Sequence, residues 1–128
     1  EAGVELVESQ PADWDRTKAY DLATNYIAKY PDLKGIYACN DTMAMGALEA
    51  VKAAGKDIVV VGTDGNDDAV ASVKAGELSA TVAQDPAQIG RRGVQLMLEV
   101  VKAGKPIDVN AEPQMESVDA ILITKDAN

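Results

Sequence analysis

The chain has 128 residues, a net charge of −9 from 12 basic and 21 acidic residues, 47% hydrophobic residues, one Cys, one Trp, no His and no Phe. That length and apolar content suit one packed domain and exclude a disordered chain, while the acidic balance excludes nucleic acid and anionic membrane as partners, since both need a basic footprint. Without His, and with Cys39 alone, there is no zinc site of the usual ligands, no internal disulfide and no nucleophile–His pair, so no catalytic residue, metal or cofactor is expected.

The opening stretch EAGVELVESQ is no signal peptide and reads as a mid-protein turn, then a strand over 4–7 ended by Ser9-Gln10-Pro11. In DWDRTKAYDLATNYIAKY the apolar positions Ala19, Leu22, Ala23, Tyr26, Ile27 and Tyr30 keep the spacing of an amphipathic helix, which Pro31 closes. A second strand follows at 36–39, inside which Cys39 is expected to be a buried thiol. Helix 42–54 turns Met43, Ala44, Ala47, Leu48 and Val51 inward, with Gly55 just past its end. DIVVVGTDG is the clearest strand, and its four consecutive apolar residues predict burial on both faces. A short helix over 66–75, a strand in SATVAQ, and a helix over 86–103 opened by Pro86 complete the series, with one more strand at about 117–124 in the tail. No apolar run approaches the ~18 residues a membrane span needs, so direct insertion into a membrane is not expected.

Strand and helix alternate as far as residue 104, which predicts an α/β fold: an open parallel sheet covered by helices through right-handed crossovers. Ligands of such sheets sit beyond the carboxyl ends of the strands. Four positions near those ends carry chemistry: Trp14, Asn40, Asp64 and Gln84. Asp64 follows IVVVGT and precedes Gly65, either as an ordinary turn or cap residue or as an acceptor for two hydroxyls of a polyol; Asn66, Asp67 and Asp68 are better-placed caps. Asp41 is placed to cap helix 42–54, which leaves Asn40 as donor and acceptor at the strand tip. Gln84 before Asp85 repeats that amide–acid order, and ordinary turn chemistry explains both pairs equally well. Trp14 is either an aromatic folded onto the core or a flat wall for a sugar ring; Asp13, Asp15 and Arg16 beside it disfavour burial, and Arg16 is expected to pair with an acid. No glycine-rich phosphate loop occurs.

In this order and with these gaps, QPADWDR, YACNDTMAMGALEAVKAAG, IVVVGTDG and ATVAQDPAQIG resemble the C-terminal half of periplasmic sugar-binding proteins of ABC importers, the ribose- and allose-binding group, nearest its allose-binding type. The resemblance covers nearly the whole chain. It implies a Rossmann-like lobe of a type I periplasmic binding protein, in which two lobes close over one monosaccharide and present it to an ABC permease. Sugar contacts would fall on Trp14, Asn40, Asp64 and Gln84, and Trp14, where ribose-binding relatives usually carry Phe, favours a hexose such as allose over ribose.

It also implies parts that are not in these 128 residues: an N-terminal lobe and the first strand–helix unit of this lobe, whose strand would lie between those at 4–7 and 36–39. Residues 1–85 would then be a partial sugar-binding lobe, and 86–128 a crossover helix and strand returning to the other lobe and hinge. The implied location is the periplasm, or the outer face of a Gram-positive cell through a lipid anchor. Two other classes share features: the effector domain of a LacI-type repressor, with the same fold and the ND/GAL and VVG.D patterns, and an enzyme or phospho-receiver with Asp64 as nucleophile. The acidic balance and PADWDR favour the receptor over the repressor, and Gln84 stands where a receiver needs Lys.

Overall fold

The computed structural model describes residues 3–104, 108, 110–112 and 115–127. Its elements are α1 (Arg16–Lys29), β1 (Gly35–Tyr37), α2 (Asp41–Ala53), β2 (Val59–Asp64), α3 (Asp67–Ala75), β3 (Ala80–Ala83), α4 (Pro86–Ala103) and β4 (Ile121–Thr124). They fall into two compact units, one of Glu1–Ala83 with Leu122–Asn128, the other of Gln84–Ile121.

The first unit is built on one sheet in the order β1-β2-β3-β4. β1 runs parallel to β2 with Gly35 opposite Val59 and Tyr37 opposite Val61, and β2 runs parallel to β3 with Val61 opposite Ala80 and Asp64 opposite Ala83. The steps from β1 to β2 to β3 move the same way across the sheet, and α2 and α3 share one core with it, so both helices lie on the same face. α1 packs along α2. Between that face and the helices lies an aliphatic core of Ala44, Leu48, Val51, Val60, Val73 and Leu78, as a chain without Phe requires. Burying each of its Leu and Val side chains contributes about 1.5–3 kcal/mol.

The helix ends follow the local chemistry. Gly55 takes φ +62 after α2, its N–H meets the Lys52 carbonyl at 3.1 Å, and the Lys56 N–H reaches Val51 O at 3.3 Å, closing a Schellman turn. Within α2, Gly46 is a packing residue: a Cβ there would stand 2.1 Å from the Arg16 carbonyl oxygen, so the start of α1 rests on the second turn of α2.

Four expectations are corrected. Residues 4–7 form no strand; no strand lies beside them among the described residues, and without a neighbour Val4 and Leu6 remain 84% and 82% exposed. Cys39 is exposed, not buried, because burial in β1 and just after it alternates: Ile36 and Ala38 turn toward the helices, whereas Tyr37 and Cys39 turn away. β2 likewise buries one face, with Val60 and Gly62 buried but Val59 exposed. The tail strand is shorter than expected, beginning at Ile121.

In the second unit Asp85 caps α4, its Oδ1 accepting from the Gln88 N–H at 2.8 Å, and Pro86 opens the first turn, both as expected. No residue of α4 is buried; Ile89, Val94, Met97, Leu98, Val100 and Val101 are exposed. Among the described residues no helix is long and apolar enough to cross a membrane.

Candidate functional site

β2 ends in a turn that no ordinary side chain favours. Asp64 has φ +120 and Gly65 φ +78. Glycine adopts such angles freely; for Asp64 the conformation costs about 1–3 kcal/mol and persists only where the surroundings impose it. Those surroundings are explicit. The carboxylate of Asp41, fully buried, accepts from the Gly65 N–H at 2.9 Å and the Asn66 N–H at 2.7 Å through Oδ2, and from the Thr81 hydroxyl at 2.7 Å through Oδ1. The Gly65 N–H also reaches Thr81 Oγ1 at 3.3 Å. A side chain at Gly65 would put its Cβ 2.5 Å from that of Ala83, so glycine is required there.

The expected roles of Asn40 and Asp41 are exchanged. Asn40 is the N-cap of α2, its Oδ1 accepting from the Met43 N–H at 2.8 Å, while Asp41 is the first helical residue and turns down into the sheet. Room for it comes from Gly62, where a Cβ would lie 2.3 Å from Asp41 Oδ1. A glycine inside VVVGTD, with Thr81 on the next strand, is the signal that would have revealed this network. Capping occupies the Asn40 carbonyl oxygen, and its Nδ2 amide has no partner among the described residues.

Asn40 lies three residues beyond β1 and Asp64 is the last residue of the parallel neighbour β2; the bonds from the Gly65 and Asn66 N–H groups to Asp41 bring the start of α2 up against the turn that follows Asp64. Trp14 stands before α1 in a turn where Asp13 (φ +51) and Trp14 itself (φ +60) are both left-handed; it is 66% exposed and therefore no core residue. Asp15 caps α1 through the Lys18 N–H at 2.8 Å, and Arg16 pairs with Glu49 of α2, as expected of it. The Arg16 carbonyl rests on Gly46, in the second turn of the helix that Asn40 caps. Gln84 is exposed at the carboxyl end of β3, where the second unit begins.

Chemically, these residues of the first unit supply a half-buried carboxylate (Asp64), an amide donor (Asn40) and an exposed indole (Trp14). That set matches a polyol, whose hydroxyls donate to carboxylate and accept from amide while its C–H face lies on an aromatic ring. A separate cavity of about 280 Å³ in the second unit is lined by Gln88, Arg91, Arg92, Glu116 and Ser117 and includes none of the four predicted residues. There the Arg92 Nε donates to both Glu116 oxygens at 2.7 Å.

The family of periplasmic binding protein domains matches residues 1–106. The D-allose-binding periplasmic protein of Escherichia coli K12 is 52% identical over 124 residues, covering 95% of this chain and 40% of that protein. The ribose import binding protein of Haemophilus influenzae is 46% identical over 109 residues, covering 81% of this chain and 37% of its own length. In structure, the chain is similar to an ABC transporter periplasmic solute binding protein from Actinobacillus succinogenes with bound D-allose (TM-score 0.82, 30% identity, 98% of this chain and 43% of that one). It is also similar to the Caulobacter myo-inositol binding protein bound to myo-inositol (TM-score 0.78, 35% identity, 94% and 40%). The chain thus spans about two fifths of the length of the relatives it matches.

Proposed function

The chain belongs to the periplasmic binding protein family, and from that premise we propose that its protein is the substrate-binding component of an ABC sugar importer, capturing a monosaccharide in the periplasm and delivering it to a membrane permease. What supports this reading is that Asn40 follows β1 at the start of α2 and Asp64 ends the neighbouring parallel strand β2, with Asp64 held in a strained backbone and Asp41 of α2 bonded to the turn after it. In the bound state the Asp64 carboxylate accepts from adjacent sugar hydroxyls, the amides of Asn40 and Gln84 supply donor and acceptor, and Trp14 covers one ring face. A hexose such as D-allose suits the broad indole. No bond is made or broken; the binding energy favours a closed form in which a second lobe completes the site. Residues 86–128 serve as the crossover toward that lobe, which accounts for the uncovered apolar side chains of α4.

The test is a titration of the protein in its full natural length with D-allose, D-ribose and myo-inositol, following the fluorescence of Trp14 alongside calorimetry. Saturable binding of a monosaccharide with a change in Trp14 emission is expected. Absence of heat and of any emission change with all three would defeat the proposal.

A further inference from the structure

Asp41 is not among the four predicted sugar contacts, yet it is a hub of hydrogen bonds below them. Its carboxylate is fully buried and engages three donors from two other segments: the Gly65 and Asn66 amides that follow β2, and the Thr81 hydroxyl of β3. An unpaired buried carboxylate is strongly unfavourable, so Asp41 holds these donors against it in the folded protein. They clamp the backbone immediately after Asp64, whose φ of +120 is held only by its surroundings. Gly62 exists as glycine where the carboxylate passes, and Gly65 where the turn presses on Ala83. Asn40, one residue before Asp41, caps the same helix end. One buried carboxylate therefore sets the height of β2's exit against the start of α2.

We propose that Asp41 is the positioning residue of the ligand site, holding the Asp64 turn so that the Asp64 carboxylate is pre-aimed at its ligand. This rests on the reading of Asp64 as a sugar contact. Ligand affinity then depends on Asp41 through Asp64, and the pre-aimed turn removes an ordering cost from each binding event.

A double-mutant cycle in the full-length protein tests this, using Asp41→Asn, Asp64→Asn and the pair, with D-allose as probe and NMR-detected titration reaching the millimolar range. In Asp41→Asn the new amide faces backbone N–H donors, so the turn loses at least one bond. Asp41→Asn is expected to weaken D-allose binding at least tenfold in the parent background and less than twofold once Asp64 is already Asn. The Gly65 and Asn66 amides should exchange at least tenfold faster while those of α1 keep their protection. An affinity unchanged by Asp41→Asn, or an equal loss in both backgrounds, would overturn the proposal. If Asp41→Asn does not fold, Thr81→Val, which keeps the shape and removes one donor, is judged by the same cycle. If the unmutated protein binds no sugar, the monosaccharide reading falls, and amide exchange alone decides: unchanged Gly65 and Asn66 rates overturn the role of Asp41, and selective acceleration upholds it.

Discussion

Asp64 occupies a backbone region that glycine would fill with less strain, a cost of about 1–3 kcal/mol that the contacts of its turn and of its side chain together offset. Asp64→Gly separates the two contributions. Strain is relieved, side-chain interactions are lost and the unfolded chain gains about 0.5–1 kcal/mol of freedom, so stability should change by no more than about 1 kcal/mol. Loss of a charge-assisted acceptor should cost D-allose binding about 1.5–3 kcal/mol, roughly ten- to a hundredfold or more. Calorimetry and thermal melting of the same sample check both. A large fall in melting temperature with affinity intact would make Asp64 structural. At this scale the sequence was legible in residue type and position but not in role. The order Asn40-Asp41 is the same as Gln84-Asp85, yet Asp85 caps its helix and Asp41 does not. The difference lies in a neighbour distant along the chain: Gly62 opens space beneath Asp41, and no local rule sees across strands.

Among the elements, the alternation of strands and helices was readable because each period is local, and the Gly55, Pro86 and Asp85 signals fixed helix ends within a residue or two. What failed was whatever depended on a partner. Residues 4–7 have strand composition but no neighbouring strand, and Cys39 lies in an apolar run on a sheet face that α1, α2 and α3 do not cover. The unpaired N-terminal segment is instead tethered at Glu8, whose carboxylate accepts from Lys29 Nζ at 2.8 Å and the Tyr30 hydroxyl at 2.7 Å at the end of α1, and from Gln10. The hydrogen bonds from Lys29, then Tyr30 and Gln10, draw the Glu8 pKa from 4.5 down to about 2. A carboxyl group depressed on folding stabilises the fold above its unfolded pKa and loses that contribution as pH falls through the folded value. Glu8→Gln should therefore lower stability by a constant amount above about pH 4.5, with the gap closing between about 4.5 and 2. Denaturant melts of both proteins across that range check it; a gap independent of pH would show that the tether does not depend on the charge.

For the molecule as a whole, the exposed apolar side chains set the last expectation. α4 is an 18-residue helix with no buried residue, although Ile89, Val94, Met97, Leu98, Val100 and Val101 give it the composition of a packing element. On the sheet, Tyr37 and Val59 are exposed beside Cys39, and Val4 and Leu6 are uncovered before it. Apolar surface of this extent is covered in stable proteins by further structure or by association. The 128 residues expressed alone should therefore sediment as concentration-dependent oligomers and bind a hydrophobic dye. Sugar binding should suffer with them. If a complete two-lobed site binds at about 1 μM, near −8 kcal/mol, a single lobe retaining half of that energy gives about −4 kcal/mol, close to 1 mM. Analytical ultracentrifugation with a D-allose titration on the same material measures both quantities. A cooperatively melting monomer with micromolar affinity would defeat both expectations: the 128 residues would bind sugar by themselves, and the exposed side chains of α4 would need no partner.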